Sequence, residues 1–226
     1  MNMPFYVAPE QVMKDRADYA RKGIARGRSL IAFRFVDGIA ICAENKSSTL
    51  RKVSEIYDRI AFAGVGKYNE FDQLRIAGVR HADLKGYAFS RGDVDARSLA
   101  NQYAQILGQI FTHEMKPMEV EILVAEIGAD DGDGDQLFHI LYDGTVVDED
   151  TSVVLGGETE TISDRFGELD GVPDLADGLR RAISALSGPD RSLTPAELEI
   201  AVLQRGTGRR AFRRLDDPEV ARLISD

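Results

Sequence analysis

The pattern of apolar and polar residues changes several times along the chain, and each change predicts a new element. After Pro9, apolar residues recur every three or four positions, which predicts a helix with one apolar stripe. The residues of this stripe are Met13, Ala17, Ala20 and Ile24. Proline suits the first helical position because its missing N–H would have no partner there. Arg21, Lys22 and Arg26 fall in the last turns and Gly27 follows, so we expect this helix to end near Arg26.

Alternating apolar residues predict two β-hairpins after this helix. The segment SLIAFRF turns at Asp37-Gly38 into IAICAEN, and Asp-Gly is a favoured hairpin turn. The segments RKVSEIYD and RIAFAG form the second predicted strand pair. Cys42 lies within the apolar segment IAICAEN, which indicates a buried structural thiol rather than a nucleophile.

Two long helices are predicted over the middle of the chain. The first has Phe71, Leu74, Gly78 and Ala82 on one face. The second has Leu99, Tyr103, Ile106 and Ile110 on one face. Asp93 has the residue type and position of an N-cap for the second helix, and Pro117 lies beyond its end.

A second group of strands is predicted next, followed by more helix. The strands are MEVEILVAEI, LFHILYD and SVVLGG, joined by turns at 130–135 and at Asp143-Gly144. One helical block is predicted from Thr159 to Ser187, before Gly188-Pro189. The segments LEIAVLQR and RAFRRLD predict a closing hairpin, and Asp217-Pro218 begins a short terminal helix.

This order of elements predicts an α+β fold. It lacks the regular strand-helix-strand alternation that is typical of a parallel sheet. Hairpins in two groups, with helices between them, favour two antiparallel sheets stacked face to face with helices outside both.

Composition excludes several classes of partner. The 226 residues carry a net charge of −10, so we expect neither a nucleic acid nor an anionic membrane surface as a partner. No apolar run approaches the roughly 20 residues that span a bilayer, and the first residues lack the pattern of a secretory signal. A single cysteine cannot form an internal disulfide. Together these features predict a cytoplasmic globular protein.

The segment GVGK, after an apolar run and before a predicted helix, suggests a phosphate-binding loop. The spacing is wrong, because Ala61 stands where the first glycine belongs and Tyr68 replaces the magnesium-binding hydroxyl. Gly64 and Gly66 are instead predicted to form a tight turn from strand to helix, with exposed N–H groups at the helix start.

The segment DDGDGD resembles a calcium loop but lacks its closing residues. The EF-hand pattern requires a glycine where Gln136 stands and a glutamate where Tyr142 stands. The three histidines show no metal-ligand spacing to one another. We therefore expect a solvated turn at this segment, and neither a metal nor a cofactor.

Three long segments of the chain resemble a known family. RKGIARGRSLIAFRFVDGIAICAEN, LRKVSEIYDRIAFAGVGKYNEFDQLR and NQYAQILGQIFTHEMKPMEVEILVAEIG are similar, in this order, to the α-subunit of the actinobacterial 20S proteasome. The resemblance implies a four-layer αββα sandwich of the Ntn-hydrolase type, with an N-terminal extension helix. It also implies one domain over 1–226, comprising a gate tail at 1–8, the helix at 9–27 and the sandwich at 28–226.

The resemblance also implies that the chain is not catalytic. A β-type subunit uses a threonine exposed as the new N-terminus, whose own amine serves as the base. This chain has no threonine before Thr49, and Arg28 or Ser29 occupies the nucleophile's place. Lys52 and Glu44 correspond to the β-type catalytic lysine and its acidic partner. The alternative is a self-contained Ntn-hydrolase peptidase activated by cleavage before Ser29.

The family implies partners for such a subunit. Seven copies form a ring that caps β-subunits and receives an ATPase or an ATP-independent activator, in degradation that depends on a ubiquitin-like modifier. Lys52 is expected to pair with the C-terminal carboxylate of an activator tail, in a pocket walled by Gly27, Gly64 and Val65. The expected gate consists of Met3, Pro4, Phe5, Tyr6, Val7 and Ala8.

Overall fold

The computed structural model describes residues 8–128, 134–169 and 171–225. The α-helices in these ranges are α1 (Pro9–Ile24), α2 (Tyr68–Ala88), α3 (Ala96–His113), α4 (Thr159–Phe166), α5 (Leu175–Ser187) and α6 (Asp217–Ser225). The strands are β1 (Leu30–Phe35), β2 (Gly38–Glu44), β3 (Val53–Tyr57), β4 (Ile60–Gly66), β5 (Val120–Glu126), β6 (Gln136–Ile140), β7 (Val146–Glu149), β8 (Ser152–Leu155), β9 (Leu198–Gln204) and β10 (Phe212–Arg214). The predicted gate residues Met3 to Val7 and most of the predicted turn at 130–135 lie outside the described residues.

The strands form two five-stranded antiparallel sheets. One sheet has the order β10-β9-β2-β1-β8, and the other has the order β3-β4-β5-β6-β7. The predicted hairpins β1–β2, β3–β4 and β9–β10 are all present. The predicted α+β sandwich of four layers, with an N-terminal helix, is therefore confirmed.

Both faces of each sheet are buried, and this explains the nearly continuous apolar runs of the central strands. In β1, Leu30 and Ala32 point into the core between the sheets, whereas Ile31 and Phe33 point towards the helices of the outer layer. The strand β4 alternates in the same way between the inner core and the opposite helix layer. Each sheet therefore has one face for the other sheet and one face for helices.

The two helix layers cover opposite sides of the sandwich. Helices α2 and α3 pack on the sheet that contains β4, and the ring of Tyr103 in α3 lies 5.8 Å from that of Phe62. Helices α4, α5 and α6 pack on the sheet that contains β1. Cys42 faces this second layer and is fully buried, and burial raises the pKa of its thiol to about 12. The prediction of a buried structural thiol is confirmed.

Helix α1 lies apart from both helix layers, against β4 and β5. Ala20 and Ile24 join the core between the sheets, whereas Met13 is exposed, so only the second half of the predicted stripe is buried. The Arg16 guanidinium donates a hydrogen bond of 2.6 Å to the carbonyl of Phe111 near the end of α3. The helix starts at Pro9 as predicted, and its last residue is Ile24 rather than Arg26.

Two helix boundaries differ from the prediction. Asp93 belongs to a short 3-10 turn, and the N-cap of α3 is Asp95, whose carboxylate accepts a 2.7 Å hydrogen bond from the N–H of Ser98. The block predicted from Thr159 to Ser187 is two helices, α4 and α5. Gly167 ends α4 with a φ of 70°, a conformation that glycine adopts without strain.

The strand path after β6 also differs from the prediction. The turn at Asp143-Gly144 leads into β7, which pairs with β6 at the edge of its sheet and was not predicted. The segment SVVLGG contains β8, which crosses to the other sheet and pairs with β1. Strand β7 has half-buried and exposed residues, so its apolar pattern is too weak to find from sequence.

The structure makes a direct prediction about two helical glycines. A Cβ at Gly78 in α2 would lie 1.8 Å from the buried hydroxyl oxygen of Tyr103, whereas a Cβ at Gly108 in α3 would meet its nearest atom at an ordinary 3.5 Å. Alanine normally stabilises a helix interior by about 1 kcal/mol over glycine. We expect Gly78→Ala to lower the free energy of unfolding by about 1–3 kcal/mol through overpacking, and Gly108→Ala to leave it equal or higher. Urea unfolding of both variants measures this, and destabilisation of equal size in both would contradict the packing of α2 on α3.

Candidate functional site

The predicted site residues meet at the end of the sandwich where α1 runs into β1. The Lys52 ammonium donates a hydrogen bond to the carbonyl oxygen of Arg28, the residue that follows Gly27. The carbonyl of Lys52 accepts a 3.0 Å hydrogen bond from the N–H of Gly64. The structure therefore brings Lys52, Gly27 and Gly64 together, although they come from three separate segments.

A surface cavity of about 420 Å³ lies beside this cluster. It is lined by Tyr19, Gly23, Arg26, Gly27, Gly66, Lys67 and Glu119. Of the residues predicted for the activator-tail pocket, Gly27 lines this cavity, and Lys52 is not among its lining residues. Val65 is fully buried and Gly64 is covered by the ring of Phe71, so these two residues lie behind the surface. Sequence reasoning missed Gly66 and Lys67, although both belong to the GVGK segment that drew attention to this part of the chain.

Glycine is required at position 66 by the backbone. Gly66 has a φ of 107°, and a Cβ there would lie 2.0 Å from the carbonyl oxygen of Glu119. Gly66 ends β4 directly before α2, so the predicted turn from strand to helix is confirmed for this residue. The same prediction is wrong for Gly64, which lies inside β4 opposite Ile122 in β5. A side chain at Gly64 would meet the ring of Phe71, so packing rather than a turn explains this glycine.

Lys52 is half-buried among both positive and negative groups. Burial lowers the pKa of its ammonium to about 8. The carboxylates of Glu44 and Glu199 act in the opposite direction, and the Arg28 guanidinium lowers the pKa further. Lys52 is therefore a cation at neutral pH that loses its charge at a much lower pH than an ordinary lysine.

Glu44 is buried, and two arginines surround its carboxylate. Arg191 donates two hydrogen bonds of 2.8 Å, one to each oxygen, and Arg28 donates a further one. Burial alone would raise the pKa of Glu44, but the hydrogen bonds and charges of the two arginines outweigh it and lower the pKa. The carboxylate therefore stays ionised inside the protein, bound to arginine rather than to Lys52.

Glu199 is a second buried carboxylate, and it fixes the backbone at Lys52. Its oxygens accept hydrogen bonds from the N–H of Lys52 at 2.8 Å, from the N–H of Val53 at 3.3 Å and from the Asn45 amide at 2.8 Å. Arg214 forms an ion pair with the same carboxylate. Glu199 lies in β9 of one sheet and Val53 in β3 of the other, so this network joins the two sheets beside Lys52.

A second cavity of about 300 Å³ lies beside Ser29, one of the two residues that the resemblance sets at the nucleophile's position. Ser29, Glu44, Gly157 and Arg191 are among its lining residues. Ser29 is buried and lies within the continuous chain between α1 and β1, so it has no free amine to act as a base. Thr49 is exposed in the loop before β3 and also lies within the continuous chain. As it stands, the site therefore cannot perform N-terminal nucleophile chemistry.

Three further features bear on the expectations from sequence: the residue before α1, potential metal ligands and membrane-spanning helices. Ala8, the last residue of the predicted gate, is exposed and directly precedes α1. No cluster of three or more potential metal ligands is found in the part of the chain that the structure describes. Among the described helices, none combines the length and the apolar character needed to cross a membrane.

Comparison with known proteins gives the class of the chain. A family model described as proteasome subunit matches residues 24–202, which is most of the 226 residues. The chain belongs to the proteasome subunit family.

Similar proteins place it more narrowly within that family. The chain is 62% identical to the proteasome subunit alpha of Acidimicrobium ferrooxidans, over all of this chain and 97% of the relative. It is 55% identical to the proteasome subunit alpha of Sanguibacter keddieii, over all of this chain and 90% of the relative. For the proteasome subunit alpha of Kineococcus radiotolerans the identity is 52%, over all of this chain and 99% of the relative. The resemblance to actinobacterial α-subunits is thus confirmed over the full length.

The network around Glu199 yields a stability prediction. Glu199→Gln removes the charge that pairs with Arg214 and leaves a half-buried guanidinium without its carboxylate. We expect this variant to lose about 2–4 kcal/mol of unfolding free energy. The control is Asp18→Asn in α1, whose carboxylate is about half exposed and, among the described residues, pairs only with Arg21 at the surface. Urea unfolding should show little change for the control, and an equally small effect of Glu199→Gln would mean that the network does not join the sheets.

Proposed function

We propose that the chain is a non-catalytic α-subunit of a proteasome core particle, in which seven copies form the outer ring on rings of catalytic β-subunits. The observation that carries this proposal is the continuity of α1 with β1, which leaves Ser29 internal at the position of the nucleophile. The full-length similarity to proteins named proteasome subunit alpha supports it. The alternative, a self-contained peptidase, requires cleavage before the buried Ser29, and none of the geometry favours it.

Exposed apolar side chains on the helices suit assembly into such a particle. Leu84, Tyr87 and Phe89, at the end of α2, are 70%, 92% and 77% exposed. Val12 and Tyr19 of α1, together with Met115 after α3, line a shallow groove of about 640 Å³. Large exposed apolar side chains in groups are typical of interfaces between proteins. We assign these two surfaces to contacts with β-subunits and with neighbouring α-subunits.

The cluster around Lys52 suits the binding of a C-terminal carboxylate from an ATPase or an ATP-independent activator. Lys52 supplies the cation, and the cavity beside Gly27 and Gly66 offers room for an extended chain. One charge-assisted contact of this kind is worth about 1–3 kcal/mol, too little for firm docking alone. Several tails bound to one ring together would multiply the effect.

Substitution of Lys52 tests this docking. Lys52→Ala should leave rings intact and weaken the binding of an activator tail by roughly tenfold or more, because the carboxylate loses its partner. In the unsubstituted protein, binding should weaken as the pH rises through about 8, where the ammonium loses its proton, and this pH dependence should disappear in the variant. Peptide binding to assembled particles, measured between pH 6.5 and 9.5, checks both results.

The control for this experiment is Lys46→Ala. Lys46 lies six residues earlier, is about half exposed, and pairs with Glu197 at the surface. Its removal should change neither tail binding nor the pH dependence. Full tail affinity in the Lys52 variant, with rings intact, would show that the carboxylate is received elsewhere.

The gate is the second part of the proposed function. Met3 to Val7 carry no charged side chain, and Ala8 joins them to α1. In a ring, seven apolar segments that start from seven α1 helices would meet near the axis and close the entrance. Closure need only be marginal, so that activator binding can reverse it at a cost of a few kcal/mol.

Deletion of residues 2–7 tests the gate. The assembled particle should hydrolyse small peptides several-fold faster, because entry no longer depends on displacing the segments. The rate at which a small covalent inhibitor labels the β-subunit nucleophile serves as the control, and it should stay the same. Unchanged peptide hydrolysis by intact particles of the deletion variant would exclude a gate in this segment. Location in the cytoplasm and a modifier-dependent pathway stay predictions.

A further inference from the structure

The resemblance places Lys52 and Glu44 at the positions of a catalytic lysine and its acidic partner, but the two side chains are not paired in this structure. The Lys52 ammonium bonds to the carbonyl of Arg28, and the Glu44 carboxylate bonds to the side chains of Arg28 and Arg191. Over the described residues, Lys52 takes part in no ion pair with a carboxylate within 4.0 Å. Both groups are close enough for Glu44 to influence the charge on Lys52. The two opposite charges are thus neighbours that are kept apart.

Arg191 holds Glu44 in a fixed direction. Its guanidinium binds both Glu44 oxygens at 2.8 Å and donates to two carbonyls at the end of α5, those of Leu186 at 2.8 Å and Ser187 at 3.1 Å. Such a bidentate contact is among the strongest and most directional that a carboxylate makes. The carboxylate is therefore anchored to the helix layer over β1 and β2, and Arg28 occupies one of the same oxygens.

The other carboxylate near Lys52 is also occupied. Glu199 accepts from two backbone N–H groups, from the Asn45 amide and from Arg214. The charged groups that act on the Lys52 ammonium are Glu44, Glu199 and Arg28. Each of the two carboxylates has its own arginine partners, so neither neutralises the ammonium directly.

We propose that Arg28 and Arg191 form a clamp that holds Glu44 away from Lys52, and that this keeps the ammonium free for the carboxylate of a partner chain. The clamp residues are positioning residues that determine specificity, because they decide whether Lys52 pairs inside the protein or outside it. The role in receiving a partner's carboxylate rests on the proposed function, whereas the separation of Glu44 from Lys52 does not.

The clamp makes a chemical prediction about variants. Without Arg191, the Glu44 carboxylate loses its bidentate partner and keeps only Arg28. It can then turn towards Lys52, a cation on which its charge already acts. An internal ion pair would then compete with any external carboxylate. Replacing Glu44 as well removes the competing carboxylate. Glu44→Gln should therefore restore the binding of an external carboxylate that the loss of Arg191 had weakened. If Arg191 only stabilised the end of α5, replacing Glu44 would not restore this binding.

The first experiment measures the pKa of Lys52 in four full-length proteins: the unsubstituted chain, Arg191→Gln, Glu44→Gln and the double variant. Trace acetylation with acetic anhydride across pH 6–11, followed by peptide mass spectrometry, gives the titration of this single amine. We expect Arg191→Gln to raise the pKa by roughly one unit or more. The Glu44→Gln change should lower it clearly in the Arg191→Gln background and much less in the unsubstituted chain, because the clamp already occupies Glu44.

One result of this four-protein comparison would overturn the proposal. If Glu44→Gln shifts the pKa of Lys52 equally in both backgrounds, the arginines do not separate the two groups. Arg181→Gln is the matched control, since Arg181 is another α5 arginine that contacts the carbonyl of Glu168 and not Glu44. It should leave the titration unchanged. If Arg191→Gln does not fold, Arg28→Gln replaces it in the comparison and keeps the Arg28 carbonyl. Because the Arg28 charge itself lowers the pKa of Lys52, the deciding result is then a larger effect of Glu44→Gln in the Arg28→Gln background than in the unsubstituted chain.

The second experiment measures binding to assembled particles, with a short peptide that ends in a free carboxylate and the same peptide as a C-terminal amide. We expect Arg191→Gln to weaken the binding of the free-acid peptide at least fivefold and the double variant to restore most of that affinity. The amide peptide should bind equally weakly to all four proteins. If the unsubstituted particle does not prefer the free acid, the proposed docking function fails, and the titration still decides whether the clamp exists. A carboxylate preference that is the same in all four proteins would overturn the specificity role.

Discussion

The contact between the two apolar sheet faces fixes the position of every functional group in this protein. Alternate residues of β1, β2, β4 and β5 meet in the core between the sheets, and Ala20 and Ile24 of α1 join the same core. Burial of large apolar side chains is worth about 1.5–3 kcal/mol each, so this contact stabilises the fold together with the two cores between sheets and helices. Because the two sheets are packed in a fixed position, the starts of β1 and β3 and the end of β4 meet near the end of α1. These segments carry Arg28, Lys52 and Gly66.

The apolar core sets the positions of the strands, and buried charges at this end of the sandwich then determine which side chains pair with one another. Two carboxylates, Glu44 and Glu199, are each 3% exposed, and burying a charge is costly unless it is paired and hydrogen-bonded. Arginines satisfy both of them, and the result is a lysine whose neighbouring acids are already occupied. Glu44 thus has Arg28 and Arg191 as its partners, and Lys52 bonds to the carbonyl of Arg28.

Much of the fold could be predicted from the sequence, because apolar periodicity reports burial directly. The hairpins and the face of α2 follow this rule, and the identification of the sheet sandwich needed only the order of these elements. The rest depended on contacts between distant segments. Asp95 rather than Asp93 caps α3 because a 3-10 turn intervenes, and β8 leaves its expected sheet because its partner is β1.

The candidate site could be predicted only in part, because its residues come from segments that are distant in the sequence. Lys52 and Gly27 were singled out through the resemblance, and the structure brings their segments together through the hydrogen bond from Lys52 to the Arg28 carbonyl. Only Gly27 of these two lines the cavity. Gly66 and Lys67 line the cavity where Gly64 and Val65 were expected, since strand pairing and the ring of Phe71 bury the latter two. The clamp was out of reach of sequence reasoning, because Arg191 is 147 residues from Glu44 and no motif connects them.

The central claim is that this chain forms a non-catalytic ring on catalytic partners. Co-expression with a proteasome β-type subunit, followed by electron microscopy and intact-mass measurement of the purified particle, tests it most directly. The account predicts stacked heptameric rings with this chain outermost, of full-length mass, and covalent inhibitor label only on the β-subunit. A chain of mass beginning at Ser29 and carrying inhibitor label, or a chain that forms no particle with the β-subunit, would contradict it.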